Sequence, residues 1–351
     1  MVHRLRIRIL GAGVAGLTAA ILLTREGHRV ELIDERFAIP PVGTALGLFG
    51  PAQQVMGRAG VLEAARAVSA APRSGLLMSA GGRTRATIPA GGGFLVARSD
   101  LVRLLQEALP ASVELTRRRV GDVRPLRSGA DLLVGADGVH SLARRSGWPG
   151  SEARDHGVTV LRGTTDQSPP EVSETWGEGW LFGITPLAVT GGTGTNWFAC
   201  LPEHRAETRD GDLAHLRVVI GGHREAIDAV LASARPERTL VHGIHTAPPV
   251  LPVAERVVLL GDAAHAMAPN LGHGANTALQ DAAALADALA HSSTVPAALR
   301  TYAVRRTVPG QAWRIGSQAL LGVATMSRGA ALRDRIVGAA GRLSPASARV
   351  S

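Results

Sequence analysis

Leu5, Ile7 and Ile9 alternate with arginines and run into Gly11-Ala12-Gly13-Val14-Ala15-Gly16. Leu17 to Thr24 then reads as a helix ending near Gly27, and Val30 to Ile33 as a second strand closing on Asp34. Few folds accept that order, because it builds a parallel strand–helix–strand unit around a glycine-rich turn. Gly11 permits the tight turn, Gly13 lets a pyrophosphate approach the backbone, and Gly16 lets the helix pack closely on the sheet. Asp34, eighteen positions after Gly16, is placed to accept hydrogen bonds from adenosine ribose hydroxyls. Its charge favours FAD or NAD over NADP, whose 2′-phosphate would meet a like charge. These residues alone do not choose between FAD and NAD.

Two later stretches repeat the pattern of an apolar strand running into an acidic, glycine-bearing turn. Asp131-Leu132-Leu133-Val134-Gly135-Ala136-Asp137-Gly138 is followed by Ser141 and Arg144. Val257-Val258-Leu259-Leu260 leads into Gly261-Asp262-Ala263-Ala264-His265-Ala266-Met267-Ala268-Pro269-Asn270-Leu271-Gly272-His273-Gly274-Ala275-Asn276, and a helical pattern occupies Thr277 to Leu289. The carboxyl ends of strands in open α/β sheets are where ligands bind, and glycines ahead of a helix expose backbone N–H groups to something flat or anionic.

With 351 residues, 45% hydrophobic and 19% charged, the chain can bury a large core, suits two domains, and is no disordered polymer. Its net charge of +9 is carried by arginine alone, since no lysine occurs. Those arginines are scattered and poorly supplied with aromatics, which argues for compositional bias over a nucleic-acid stripe and leaves a modest role in attracting a phosphorylated cofactor. The single Cys200 excludes an intramolecular disulfide and a cysteine-rich metal site, and no metal is expected. Arg4, Arg6 and Arg8 ahead of an apolar stretch to Leu23 imitate a signal peptide, but the glycine spacing keeps that stretch in the fold. No run of eighteen apolar residues is present, so no membrane span is expected.

Between the motifs, residues 40 to 62 hold Gly43, Gly47 and Gly50-Pro51 and then a helical pattern through Val55, Met56 and Val61-Leu62. Pro72 to Gly93 reads as a first excursion into a second domain. Ala97 to Leu101 starts a helix capped by Ser99, with Arg98 just before the cap and Leu101, Leu104, Leu105 and Leu109 on its apolar face. Residues 151 to 254 alternate short β-like runs with Gly/Pro/Thr turns and include Trp176, Trp180 and Trp197, which predicts a mostly antiparallel sheet. Helical segments follow Pro296, and the end from Ser344 is expected to fray. The organisation expected is α/β: residues 1–72, 95–150 and 255–351 form a discontinuous cofactor-binding domain, 73–94 and 151–254 a substrate domain, and the C-terminus a helical segment.

In this order and spacing the three motifs resemble the signature of the FAD-dependent class A monooxygenases, the aromatic hydroxylases of the para-hydroxybenzoate hydroxylase type. The resemblance extends along nearly the whole chain and is weakest between 151 and 247. It implies a Rossmann-like FAD domain of the GR2 type. Gly11, Gly13, Gly16 and Asp34, with Ala15 and Arg36 beside them, would hold the ADP half, and Arg98 matches an arginine that contacts FAD. Asp137 and Gly138 resemble a motif implicated in FAD and NAD(P)H binding, and Gly261 with Asp262 the pair whose aspartate holds the ribityl chain. Pro269 and Gly272, His273, Gly274, Ala275 and Asn276 resemble the loop beside the flavin ring, with Pro269 and His273 the candidate catalytic positions.

The implied reaction is hydroxylation or epoxidation of an aromatic or polycyclic small molecule. NAD(P)H binds transiently, and oxygen is delivered through a flavin C4a-hydroperoxide. Backbone N–H groups at Gly272 to Asn276 would stabilise reduced flavin. Glutamine is usual in similar proteins where this chain has His273, and a short Gly121–Ala130 stretch replaces a longer hairpin. His265 reads as a structural hydrogen-bonding residue. Tyr302, the single tyrosine, lies in a C-terminal helix, so no general base is named. A segment with Trp313, Ile315, Leu320, Leu321 and Val323 reads as a helix packed on the flavin domain in preference to a peripheral membrane contact. A cytoplasmic monomer or homodimer is expected. The rival readings are a reductase or desaturase of the same fold that inserts no oxygen, and a non-enzymatic escort protein of related fold.

Overall fold

A computed structural model of the chain describes residues 4–38, 44–189, 192–202 and 209–343; Gly43 and the stretch from Ser344 lie outside them. The strand Arg6–Leu10 pairs in parallel with Arg29–Asp34 on one side and Leu132–Gly135 on the other. Glu114–Arg117 extends the sheet beyond Arg29–Asp34, and Val257–Leu259 extends it beyond Leu132–Gly135, both in parallel. The two-residue strand Val253–Ala254 closes that edge antiparallel, giving six strands.

Both faces of this sheet are covered, as a parallel sheet requires. Ile7, Ile9, Val30 and Leu32 pack beneath the helices Val14–Arg25 and Gly274–His291, while Leu10, Ile33, Leu133 and Leu259 pack on Leu126 and Ala143. The helix Val14–Arg25 is buried continuously from Ala15 to Leu23. That explains why its sequence carries no charge before Arg25 and no polar face.

A second sheet of seven strands runs in the order Thr239–Thr246, Arg154–Thr165, Gly192–Pro202, Leu181–Val189, Ser173–Trp176, Ser74–Ser79, Thr84–Pro89. It is antiparallel except where Ser173–Trp176 meets Ser74–Ser79. One face, with Leu161, Phe182, Ile184 and Trp197, packs against the helices Arg209–Ile220 and Glu225–Ser233. The other carries Val160, Leu181 and Cys200 and meets Ala268 and the long helix Val295–Ala324. A three-stranded sheet, Ala45–Leu48, Phe94–Ala97 and Ser69–Ala70, bridges the two.

Three sequence expectations need correction. The helix at Arg98 has Ala97, not Ser99, at its N-terminal boundary, and no side chain caps it. The Arg98 N–H donates to the Thr44 carbonyl at 2.9 Å, so the strand Phe94–Ala97 runs directly into the helix and leaves Ser99 inside it. The pattern from Val55 to Leu62 is two helices, Gly50–Ala59 and Leu62–Ala67, broken at Gly60 in the left-handed region (φ 76°). Residues 151 to 254, read as a mostly antiparallel sheet, do form one, and they also contain the two unforeseen helices that cover the outer face of the seven-stranded sheet.

Candidate active site

The three strand-end turns converge. Gly11 takes φ +103°, and a Cβ there would collide with the Ala136 carbonyl at the neighbouring turn; one at Gly16 would collide with the Gly11 carbonyl. Gly13 instead faces open space, so its lack of a side chain is not needed for packing. Asp34 closes this turn from outside: Oδ2 accepts from Ala12 N at 2.8 Å and Oδ1 from Arg36 N and Phe37 N at 2.9 and 3.1 Å. Burial pushes its carboxyl up, but those N–H groups and Arg36 outweigh it and hold it below the ordinary value. Arg36 itself is exposed and pairs with Glu35. Ala15 lies in the first helical turn, against Gly261.

Asp137 turns inward. Ser141 Oγ donates to Oδ1, and Leu142 N and Ala143 N donate to Oδ2 at 2.7 and 3.0 Å, leaving Gly138 (φ +80°) facing the open side. Arg144, fully buried, ties this turn to the next: Nε donates to Ser151 O, Nη2 to Val139 O and Nη1 to Ala263 O at 2.8, 2.6 and 2.9 Å.

The Gly261 turn (φ 56°) is pinned from the helix behind it. Asp281 Oδ2 accepts from Gly261 N at 2.8 Å and from His265 Nε2 at 2.7 Å, and Oδ1 accepts from Arg306 Nε at 2.6 Å. Burial would raise the Asp281 carboxyl, but His265 and Arg306 overcome it and hold it low. His265 is therefore structural, and its partner is Asp281, not Asp262. Asp262 is open to solvent and makes no side-chain hydrogen bond among the described residues. Protein packed around it disfavours the charge and raises its carboxyl, against the opposing pull of Arg98 and His265. Arg98 is exposed and without an ion pair among the described residues.

The ring loop opens with the exposed Pro269 at the short 3₁₀ turn Pro269–Leu271, ends it at Gly272 (φ 62°), and starts the helix Gly274–His291. Gly272 N donates to Pro269 O, whereas Gly274, Ala275 and Asn276 present first-turn N–H groups with no acceptor among the described residues. The buried Asn276 side chain is fully engaged, accepting from Phe49 N at 2.9 Å and donating to Gly47 O and Gly272 O at 2.7 and 3.0 Å. His273 donates through Nδ1 to Leu271 O at 2.6 Å and lies stacked between Phe49 and Trp313, with ring centroids 4.9 and 3.5 Å away. Tyr302 donates to Leu259 O at 2.7 Å and is buried, so it is no base.

Asn270, Phe49 and Trp313 had no signal in the sequence that singled them out for the site. Asn270 holds both side-chain amide atoms sealed from solvent and without a partner. A heterocycle with alternating donors and acceptors would satisfy that amide. Two helix N-termini, the open space at Gly13, the free carboxylate of Asp262 and the unpaired Arg98 suit FAD: anionic pyrophosphate at Gly11–Gly16, polyol at Asp262, ring at Asn270 to Asn276. Among the described residues no cluster fit for a metal ion occurs, and no helix is long and apolar enough to cross a membrane. The long helix turns Trp313 and Leu321 toward the protein and leaves Ile315 exposed.

Comparison with known proteins agrees with this geometry. The family described as FAD binding domain matches residues 96–314, and that of the NAD(P)-binding Rossmann-like domain matches residues 9–39. The chain is 30% identical to the aurachin C monooxygenase/isomerase of Stigmatella aurantiaca over 327 residues, covering 85% of this chain and 84% of that one. It is 33% identical to the 3-amino-4-hydroxybenzoate 2-monooxygenase of Streptomyces cremeus, covering 82% and 80%. Klebsiella pneumoniae HpxO, solved with FAD and uric acid, shares the fold with a TM-score of 0.83 at 21% identity, covering 99% of this chain and 95% of HpxO.

Proposed function

The chain belongs to the FAD-dependent aromatic monooxygenases, and from that membership we propose how its own residues divide the work of hydroxylating an aromatic substrate. FAD, reduced by NAD(P)H, supplies the electrons that activate molecular oxygen. Gly11, Gly13, Ala15 and Gly16 would receive the pyrophosphate on the N-terminus of Val14–Arg25, and Asp34, which fixes the turn through three N–H groups, would offer its remaining Oδ2 lone pair to the ribose. Asp262 holds the polyol chain, with Arg98 beside it. The N–H groups of Gly274, Ala275 and Asn276 stabilise negative charge on the ring without a formal cation, and Asn270 completes its polar edge.

The observation that carries this reading is Asn270, an amide with both ends enclosed and unpartnered on the loop where the two other turns converge. The aromatic substrate lies between that loop and the inner face of the seven-stranded sheet. There Pro269 and the Phe49–His273–Trp313 stack shut water out, which preserves the activated oxygen for transfer. Gly138 borders the open side from which nicotinamide approaches, Asp137 holds that turn in shape, and Arg36 stays at the solvent edge of the ADP site. The related proteins are named for an aminohydroxybenzoate and for aurachin C, which supports a substrate of aromatic type. We take the enzyme to be a cytoplasmic monomer or homodimer. The test is turnover under ¹⁸O₂ with a panel of phenols, aminobenzoates and quinolones: one labelled atom per product molecule, with NAD(P)H and oxygen consumed in equal amounts, is expected. Flavin-linked oxidation yielding unlabelled product would establish the reductase or desaturase reading instead.

A further inference from the structure

From Ser292 to the end the chain has nine arginines and a single acidic residue, Asp334, so this stretch carries a net +8 against +9 for the whole protein. Most of it is helical, and the helix Val295–Ala324 buries one side, with Tyr302, Arg306, Gly310, Ser317, Leu321 and Ala324 turned to the protein. The outer side of such a helix is ordinarily polar. Here Val304, Val308, Ala312, Ile315, Ala319 and Val323 follow one another at spacings of four, four, three, four and four residues, which places them in one row along about 29 Å of the helix. All six are exposed, Val304 at 80%, Val308 at 72% and Ile315 at 58%. Single exposed apolar side chains are ordinary on a protein surface, but an aligned row marks a contact. Arg300 and Arg305 border the row on either side at its start. Beyond it the helix Ala330–Leu343 exposes Leu332 and Ile336, one turn apart, with the exposed Arg335 between them in sequence. Arg300, Arg305, Arg328 and Arg335 are exposed and have no ion pair among the described residues.

We propose that this outer face is a docking surface for an anionic lipid membrane, with the apolar row entering the headgroup boundary and the unpaired arginines meeting lipid phosphates. Charge decides between lipid and a second copy of the chain: two copies would bring the same excess of arginine together, whereas an anionic surface neutralises it. Among the described residues no helix is long and apolar enough to cross a membrane, so the contact proposed is with the surface alone.

FAD-loaded full-length protein is sedimented with vesicles of phosphatidylcholine, pure or containing about one quarter phosphatidylglycerol. Binding to the anionic vesicles is expected to be about tenfold stronger and to fall severalfold between about 0.05 and about 0.5 M NaCl. Val308→Ser combined with Ile315→Ser should weaken it about tenfold while FAD content and unfolding temperature hold, since both side chains are exposed. Arg300→Gln combined with Arg305→Gln should weaken it and flatten the salt dependence. Orientation is read separately from Ile315→Cys carrying an environment-sensitive fluorophore. Its emission should shift to the blue on anionic vesicles, while the same label at Leu115→Cys, on the far edge of the six-stranded sheet, should not. Cys200 is buried with its thiol pushed up to about 12, so it stays unlabelled. No binding to anionic vesicles, equal affinity for both kinds, an unshifted label at Ile315→Cys, or undiminished binding by a folded protein carrying the two serines each overturns the proposal. So does a dimer in sedimentation equilibrium that the same two serines dissolve, which gives the face to a second copy.

Discussion

Gly11, Gly13 and Gly16 look equivalent in a motif, yet a methyl group would meet different things at each. At Gly11 and Gly16 it would strike backbone carbonyls, whereas at Gly13 it would enter open space. Gly13→Ala is therefore expected to yield a folded apo-protein with unchanged circular dichroism and FAD affinity at least tenfold weaker; Gly16→Ala should reduce soluble yield before any cofactor is added. Equal loss of folding in both would remove the ligand role of Gly13. His273 carries the other residue-scale prediction. Its Nδ1–H is fixed on Leu271 O and its ring is stacked on both sides, so His273→Gln should keep FAD bound but lower the rate of oxygen transfer severalfold; an unchanged rate would reject catalytic participation. The places of Asp34 and Asp262 at strand ends were legible in the sequence because turn, strand and helix signals surround them locally. Asn270 was not, because what distinguishes it is the partner its enclosed amide lacks, which the neighbouring sequence does not record.

At the level of elements, the long helix Val295–Ala324 is fitted around the Gly261 turn. A Cβ at Gly310 would press into the His265 ring, and Arg306 reaches Asp281 from one turn earlier. Gly310→Ala should lower stability by about 1–3 kcal/mol as an overpacking change, read from thermal unfolding. Asp281 links the network to pH. Its folded carboxyl is depressed below the unfolded value, so its contribution is present in full above the unfolded pKa of about 3.9 and is lost as pH falls through the lower folded value. Asp281→Asn should be less stable near neutrality and lose less on acidification below about pH 4. A parallel displacement of the two stability curves at all pH values would show that Asp281 is not the titrating group. Helix Gly274–His291 was legible from its alanine and leucine pattern. Helices Arg209–Ile220 and Glu225–Ser233 were hidden among strand-like runs, since an outer layer that only covers a sheet needs no motif.

For the whole molecule, under the proposed division of the site, FAD would touch turns from both ends of the chain and so act as a staple. Apo-protein supplied with FAD at a hundredfold excess over its Kd should gain about 2.7 kcal/mol, seen as a rise in unfolding temperature that grows with FAD concentration. A concentration-independent temperature would mean that the turns do not converge on one ligand. The overall order of sheets was legible because each crossing between them falls at a glycine- or proline-rich stretch. The bridging sheet Ala45–Leu48, Phe94–Ala97 and Ser69–Ala70 was not, being made of pieces too short to signal alone. The strand Leu132–Gly135 also lies at an edge until Val257–Leu259 arrives to pair with it. During synthesis at about 5–20 residues per second, that edge stays open for about 6–24 s after Leu132–Gly135 itself has emerged. A nascent chain must hold an unfinished sheet through that interval, and the cofactor groove closes only when the last third of the protein has left the ribosome. A product truncated before Val257 would therefore carry the glycine motif without the Gly261 turn and ring loop, and is expected to stay colourless.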